Sequence, residues 1–154
     1  MNNGETCLSY ELKKKKLIFG ADVFKFSKKY NWYESVLEIG NKKIQVTIDA
    51  GTNSDIRESV KTYNKIKQEF EDIYERILKN CACELLALAN DWREEDKGEI
   101  TQQEFICRID NDFTMEISGT AYTIYFQSDE MFAEHGVVYH GNIDQPEEFE
   151  IDVE

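Results

Sequence analysis

Between Ser54 and Trp92 the chain runs without glycine or proline. Ile56, Val60 and Tyr63, then Phe70, Ile73, Ile77, Cys81, Leu85, Leu88 and Trp92, recur there at spacings of three and four. Residues so spaced share one side of an α-helix, so the stretch predicts helix with a single apolar face on which Leu85, Leu88 and Trp92 are buried. One unbroken helix would be about 58 Å long at 1.5 Å per residue, too long for a domain of 154 residues, so a break is expected near Asn64 to Gln68. The start is marked by Gly51-Thr52-Asn53, after which Ser54 can cap the first turn and Asp55 and Glu58 favour the positive end of the helix dipole. Farther on, Thr101-Gln102-Gln103-Glu104 reads as a capping box for a short third helix through Phe105, Ile106 and Ile109.

The flanks have a different period. Ile44, Val46 and Ile48 alternate with Lys43, Gln45 and Thr47, and Gly40-Asn41 separates this run from Trp32 to Ile39, which predicts a β-hairpin. Shorter strands are expected at Leu17 to Gly20 and Asp22 to Phe26. After the third helix, Thr114 to Ile117, Ala121 to Phe126, Gly136 to Tyr139 and Phe149 to Val153 also read as strands, the first two joined by Ser118-Gly119-Thr120. The expectation is one α+β domain over 1–154: strands at about 17–50, helices at about 54–109 and strands at about 113–153, with antiparallel sheet from both ends packed against the central helices.

Hydrophobic residues make up 41% of the chain and aromatic residues 12%, which excludes a disordered chain. No apolar run approaches the roughly 18 residues of a membrane span, and the first residues lack the apolar stretch of a signal peptide. A soluble cytoplasmic protein is expected.

Charge is divided along the chain. The net charge is -13, and Arg108 is the last basic residue. Beyond it stand twelve acids and no lysine or arginine, whereas residues 1–108 hold 19 acids against 18 bases. A partner steered by this field is cationic, and nucleic acid is disfavoured. The run Lys13 to Lys16 reads as solvation and edge protection ahead of a strand. On the last strand Phe149, Ile151 and Val153 alternate with Glu148, Glu150, Asp152 and Glu154, so one face is apolar and the other anionic. The same acidity could serve solubility alone.

No residue pattern dictates a reaction. Cys81 and Cys83, two apart in a helix, point about 200° away from each other, and Cys7 and Cys107 stand alone, so four reduced, buried cysteines are expected rather than a zinc site or a disulfide. His135 and His140 fall on opposite sides of an extended segment, which argues against a two-histidine metal site. Neither a nucleophile elbow, nor a glycine-rich phosphate loop, nor an H-E-x-x-H helix occurs. No metal or cofactor is implied.

The stretches Glu84 to Asp96, Ile100 to Phe105, and Ile124-Tyr125-Phe126 followed by Met131-Phe132-Ala133-Glu134-His135 resemble a bacterial family known as domain of unknown function twenty-two sixty-two. The resemblance runs from about Trp32 to the end and implies a mixed α+β fold. Members typically carry a glycine immediately before the histidine, where this chain has Glu134. The resemblance implies no catalytic residue.

What remains is binding. Small acidic single-domain bacterial proteins without a catalytic constellation suggest, by analogy, immunity proteins or inhibitors that neutralise a basic toxin. The expected function is therefore a non-enzymatic acidic binding protein with a basic protein partner; the oligomeric state is open. Candidate contacts are Glu116, Asp129, Glu130, Glu134, His135, Tyr139, Glu148, Glu150 and Asp152, with Tyr122, Tyr125 and Phe132 as further aromatic anchors. The alternative is a small-ligand or enzymatic domain using His135 with neighbouring carboxylates.

Overall fold

A computed structural model describes residues 10–13, 15–51, 53–127 and 130–154, without the side chains of 53 and 54. Nine strands form one sheet in chain order: β1 (Glu11–Leu12), β2 (Lys16–Phe19), β3 (Asp22–Ser27), β4 (Trp32–Ile39), β5 (Lys42–Asp49), β6 (Phe113–Ser118), β7 (Ala121–Phe126), β8 (Val137–Asn142) and β9 (Glu150–Val153). Between β5 and β6 come the helices α1 (Asn53–Gln68), α2 (Phe70–Asp91) and α3 (Gln102–Ile109). The fold is α+β. Every neighbouring pair of strands is antiparallel except β5 and β6, which run parallel with Ile44 opposite Phe113 and Ile48 opposite Ile117.

Local chemistry explains the elements. In the β4–β5 hairpin Gly40 adopts φ +62°, the left-handed conformation that glycine enters without a Cβ penalty. At α3 the capping box forms in full: the Thr101 hydroxyl accepts from the Glu104 amide at 3.1 Å, and the Thr101 amide donates to the Glu104 carboxylate at 3.3 Å. The break in the long helical stretch falls at Glu69, one residue beyond the expected window, with φ -112° and ψ 29°. The proposed cap at Ser54 concerns a side chain outside the described residues.

The helices pack on one face of the sheet. There Ile44, Val46 and Ile48 of β5, Phe113, Met115 and Ile117 of β6, and Tyr122, Ile124 and Phe126 of β7 are buried against Ile66, Phe70, Ile73, Tyr74 and Ile77. Two expected core residues lie elsewhere. Leu85 is buried, but Leu88 is half-buried and Trp92, just past the end of α2, is 46% exposed. Its ring meets Phe132 and His135 edge-on, at 5.7 and 6.1 Å.

The cysteines differ in the same way. Cys81 is fully buried, and burial pushes its thiol up to about 12, whereas Cys83 and Cys107 are exposed; Cys7 lies outside the described residues. All three described cysteines are free, and the expectation of uniform burial is corrected. Because the thiolate is the reactive form, a thiol reagent should label Cys83 and Cys107 in the native protein and Cys81 only on unfolding. Mass spectrometry of tryptic peptides after a short pulse reads this directly; labelling of Cys81 at the rate of Cys83 would place it at the surface. Among the described residues no helix is long and apolar enough to cross a membrane.

Candidate partner-binding face

Because side chains alternate across a strand, the residues between those core positions all emerge on the opposite face of the sheet. Register then aligns them into rows. One row crosses eight strands through Lys16, Lys25, Glu34, Thr47, Glu116, Thr123, His140 and Glu150, basic at its β2–β3 end and acidic towards β9; the next runs Val36, Gln45, Thr114, Tyr125, Val138, Asp152. Val138 is buried even so, whereas Tyr125, Glu150 and Asp152 are exposed.

Polar contacts link the rows. The Tyr125 hydroxyl donates to Glu116 at 3.3 Å, and burial, then the charges of Glu116 and Glu154, raise the pKa of that phenol. His140 lies between two partners, Thr123 Oγ1 at 3.2 Å from Nδ1 and Asp152 Oδ2 at 3.3 Å from Nε2. Glu154 is held beside them by paired backbone hydrogen bonds with Gly136, at 2.7 and 2.9 Å. The ligating atoms of His140, Asp152 and Glu154 lie within 4.8 Å of one another, a set chemically able to hold a divalent cation. Nearer the middle of the sheet, a recess of about 230 Å³ opens between Trp32, Thr47, Asp49, Glu116, Ser118 and Thr123. Asp49 accepts from the Ser118 hydroxyl at 3.1 Å and from the Gly51 amide at 3.3 Å.

The expected contact residues divide among three places. Glu116, Glu150 and Asp152 share the open face, and Glu148 is exposed in the turn leading to β9. Tyr139 is on the other face: it is 1% exposed, accepts a hydrogen bond from Asn80 at 3.1 Å, and has its hydroxyl pushed up to about 12, chiefly by burial. It cannot meet a partner, and neither can the buried Tyr122 and Phe132. The reason is register, since Ile124 pairs with Tyr139 and both point at the helices. Glu130, Glu134 and His135 lie at a third place, near the end of α2. There Glu130 lines a recess of about 140 Å³ with Trp92, Arg93, Lys97 and Arg108, and His135 packs on Trp92. Asp129 lies outside the described residues.

The acids beyond Arg108 are therefore not all uncompensated. Asp110 is ion-paired with Lys42 at 2.6 Å, and Glu130 sits among bases from the α2–α3 connection and from α3. Glu116 has no cationic partner among the described residues, and Asp152 has only His140. Trp32, Asp49, Thr123 and His140 were not indicated by charge counting. The polar phase of β5 marks Asp49 as open-faced; only the parallel β5–β6 pairing brings it beside Glu116.

At Ala133 and Glu134 the backbone takes φ +50° and +72°, the left-handed region that favours glycine. A glycine before the histidine, as the sequence resemblance describes, would meet this conformation without strain. No curated protein and no solved structure matches the chain. A family model does, across residues 18–150, and the chain accordingly belongs to the bacterial family DUF2262, described as uncharacterised protein conserved in bacteria.

Proposed function

We propose that the open face of the sheet binds a basic protein, and that the protein acts without catalysis as an immunity or inhibitor type partner, neutralising a bacterial toxin or similar cationic protein. The observation that carries this reading is the placement of Glu116, Glu150 and Asp152 on a sheet face the described helices leave uncovered, in a segment with no lysine or arginine. Like charges held together on one face cost self-repulsion that a solubility role avoids by spreading them. Complementary charge would raise the association rate, and Tyr125 and Trp32, both on this face, would supply contact energy. His135 packs on Trp92, and Glu130 beside it is surrounded by bases, so a carboxylate-assisted site there has less in its favour.

The test compares wild type with Glu116→Gln/Glu150→Gln/Asp152→Asn. Wild type should retain a basic protein from the host lysate at low salt. Its association rate with that protein should fall steeply as ionic strength shortens the Debye length from about 30 Å at 0.01 M to about 10 Å at 0.1 M. The triple variant should keep its fold and show a shallower slope. Identical slopes would mean that these carboxylates only solvate the sheet.

A further inference from the structure

We infer that the basic partner adds a strand to the free edge of β9, an extended segment of alternating basic and apolar residues running antiparallel to it, which rests on the proposed acidic-face reading and names how that face is engaged. β9 is the last strand of the sheet, and only half of its backbone is used. Gly136 and Glu154 exchange both backbone hydrogen bonds, at 2.7 and 2.9 Å, and in an antiparallel ladder such bonded positions alternate. Glu150, Asp152 and Glu154 therefore turn their amides and carbonyls towards β8. Those of Ile151 and Val153 turn outwards, where no described residue bonds them. Alternate residues with free donors and acceptors are the template a further strand pairs with. The other edge, β1, has only two residues.

The side chains of β9 select which strand can pair. On the open face Glu150, Asp152 and Glu154 are exposed; Asp152 has His140 at 3.3 Å, and Glu150 has no cation among the described residues. On the helix side Phe149, Ile151 and Val153 pack against the core but stay half-buried, so each keeps apolar surface that a neighbouring strand would cover. Residues directly opposite across a ladder share a face, with Cβ atoms about 4.5–5.5 Å apart. The incoming strand thus sets bases opposite Glu150, Asp152 and Glu154 and apolar residues opposite Ile151 and Val153.

A second copy of this chain fails that selection. Antiparallel pairing of β9 with itself about Asp152 sets Asp152 against Asp152 and Glu150 against Glu154, and like charges directly opposite are destabilising. The acids that close this edge to its own kind leave it open to a cationic strand.

The probe is the peptide N-acetyl-Lys-Val-Lys-Val-Lys-amide, titrated into the 15N-labelled full chain. The backbone amide signals of Ile151 and Val153 should move saturably and their hydrogen exchange should slow, while Leu12, on the far edge, stays as it was. The two valines meet Ile151 and Val153, so N-methylating both valine amides should weaken binding about tenfold, the loss of two backbone hydrogen bonds. N-methylating two lysine amides instead, which point away from β9, should leave binding unchanged. Unmoved Ile151 and Val153 signals, equal binding by the two methylated peptides, or tighter binding by the valine-methylated one would overturn strand addition and leave the acids of β9 as a guard on a bare edge. If that happens while the triple variant still flattens the salt slope, the edge is wrong and the acidic face stands. If the valine-methylated peptide alone loses binding while the slopes are identical, strand addition stands and charge steering fails.

Discussion

Replacing Phe105 with alanine is expected to destabilise the protein by about 3–5 kcal/mol, the range for deleting a buried phenyl ring. Phe105 is 0% exposed, and its ring meets Phe132 edge-on at 6.2 Å, which in turn meets Trp92. Helix α3 has eight residues, too few to persist in water alone, so its capping box and its two buried residues, Phe105 and Ile109, must hold it. Losing the ring would open a cavity where α2, α3 and the short turn Glu130–Phe132 converge. Urea denaturation followed by circular dichroism should show a lower midpoint with an unchanged slope. Phe105→Leu, which keeps most of the volume, should lose less than about 1.5 kcal/mol. A loss below about 1 kcal/mol for alanine would show that the cluster is not a core.

Gly141→Ala is expected to lose about 3 kcal/mol, at the upper end of ordinary overpacking. The constraint is space rather than backbone angle. A Cβ at Gly141 would stand 2.5 Å from Cζ and 2.6 Å from Oη of Tyr122, its cross-strand partner. That ring is 2% exposed and stacked with Tyr139 at 6.3 Å, and Tyr139 meets Phe149 at 5.5 Å, so it has no free direction in which to move. Tyr122→Phe should not relieve the clash, because Cζ remains. Tyr122→Leu should lose stability alone yet recover part of the deficit when combined with Gly141→Ala. The measurement is a double-mutant cycle by thermal melting; strict additivity would show that the two residues do not meet.

Local structure was legible where one segment contains its own reason. Gly40-Asn41 between alternating strands, and Thr101 with Glu104 before Phe105, each specify a feature through neighbours a few residues away. Trp92 misled because spacing reports which side of a helix a residue occupies, not whether anything covers the end of that side. Tyr139 misled similarly: period two separates two faces without saying which of them the helices will choose. The anionic tail was legible as composition, but the Lys42–Asp110 pair joins residues that only the fold brings together. The candidate site needed the most information, since Asp49 and Glu116 become neighbours through a pairing of strands far apart in the chain.

That pairing also governs how the chain can assemble. Every strand except one finds its neighbour among the next residues to emerge, so β1 to β5 and β6 to β9 form two ribbons of local contacts. Only the meeting of Ile44 with Phe113 must wait for a loop of three helices to close. Loop closure is paid in entropy before its contacts give anything back, and folding slows as contacts become less local. The β5–β6 seam is thus the kinetic bottleneck of the fold, and the helices that cover the sheet are also the tether that delivers its second half.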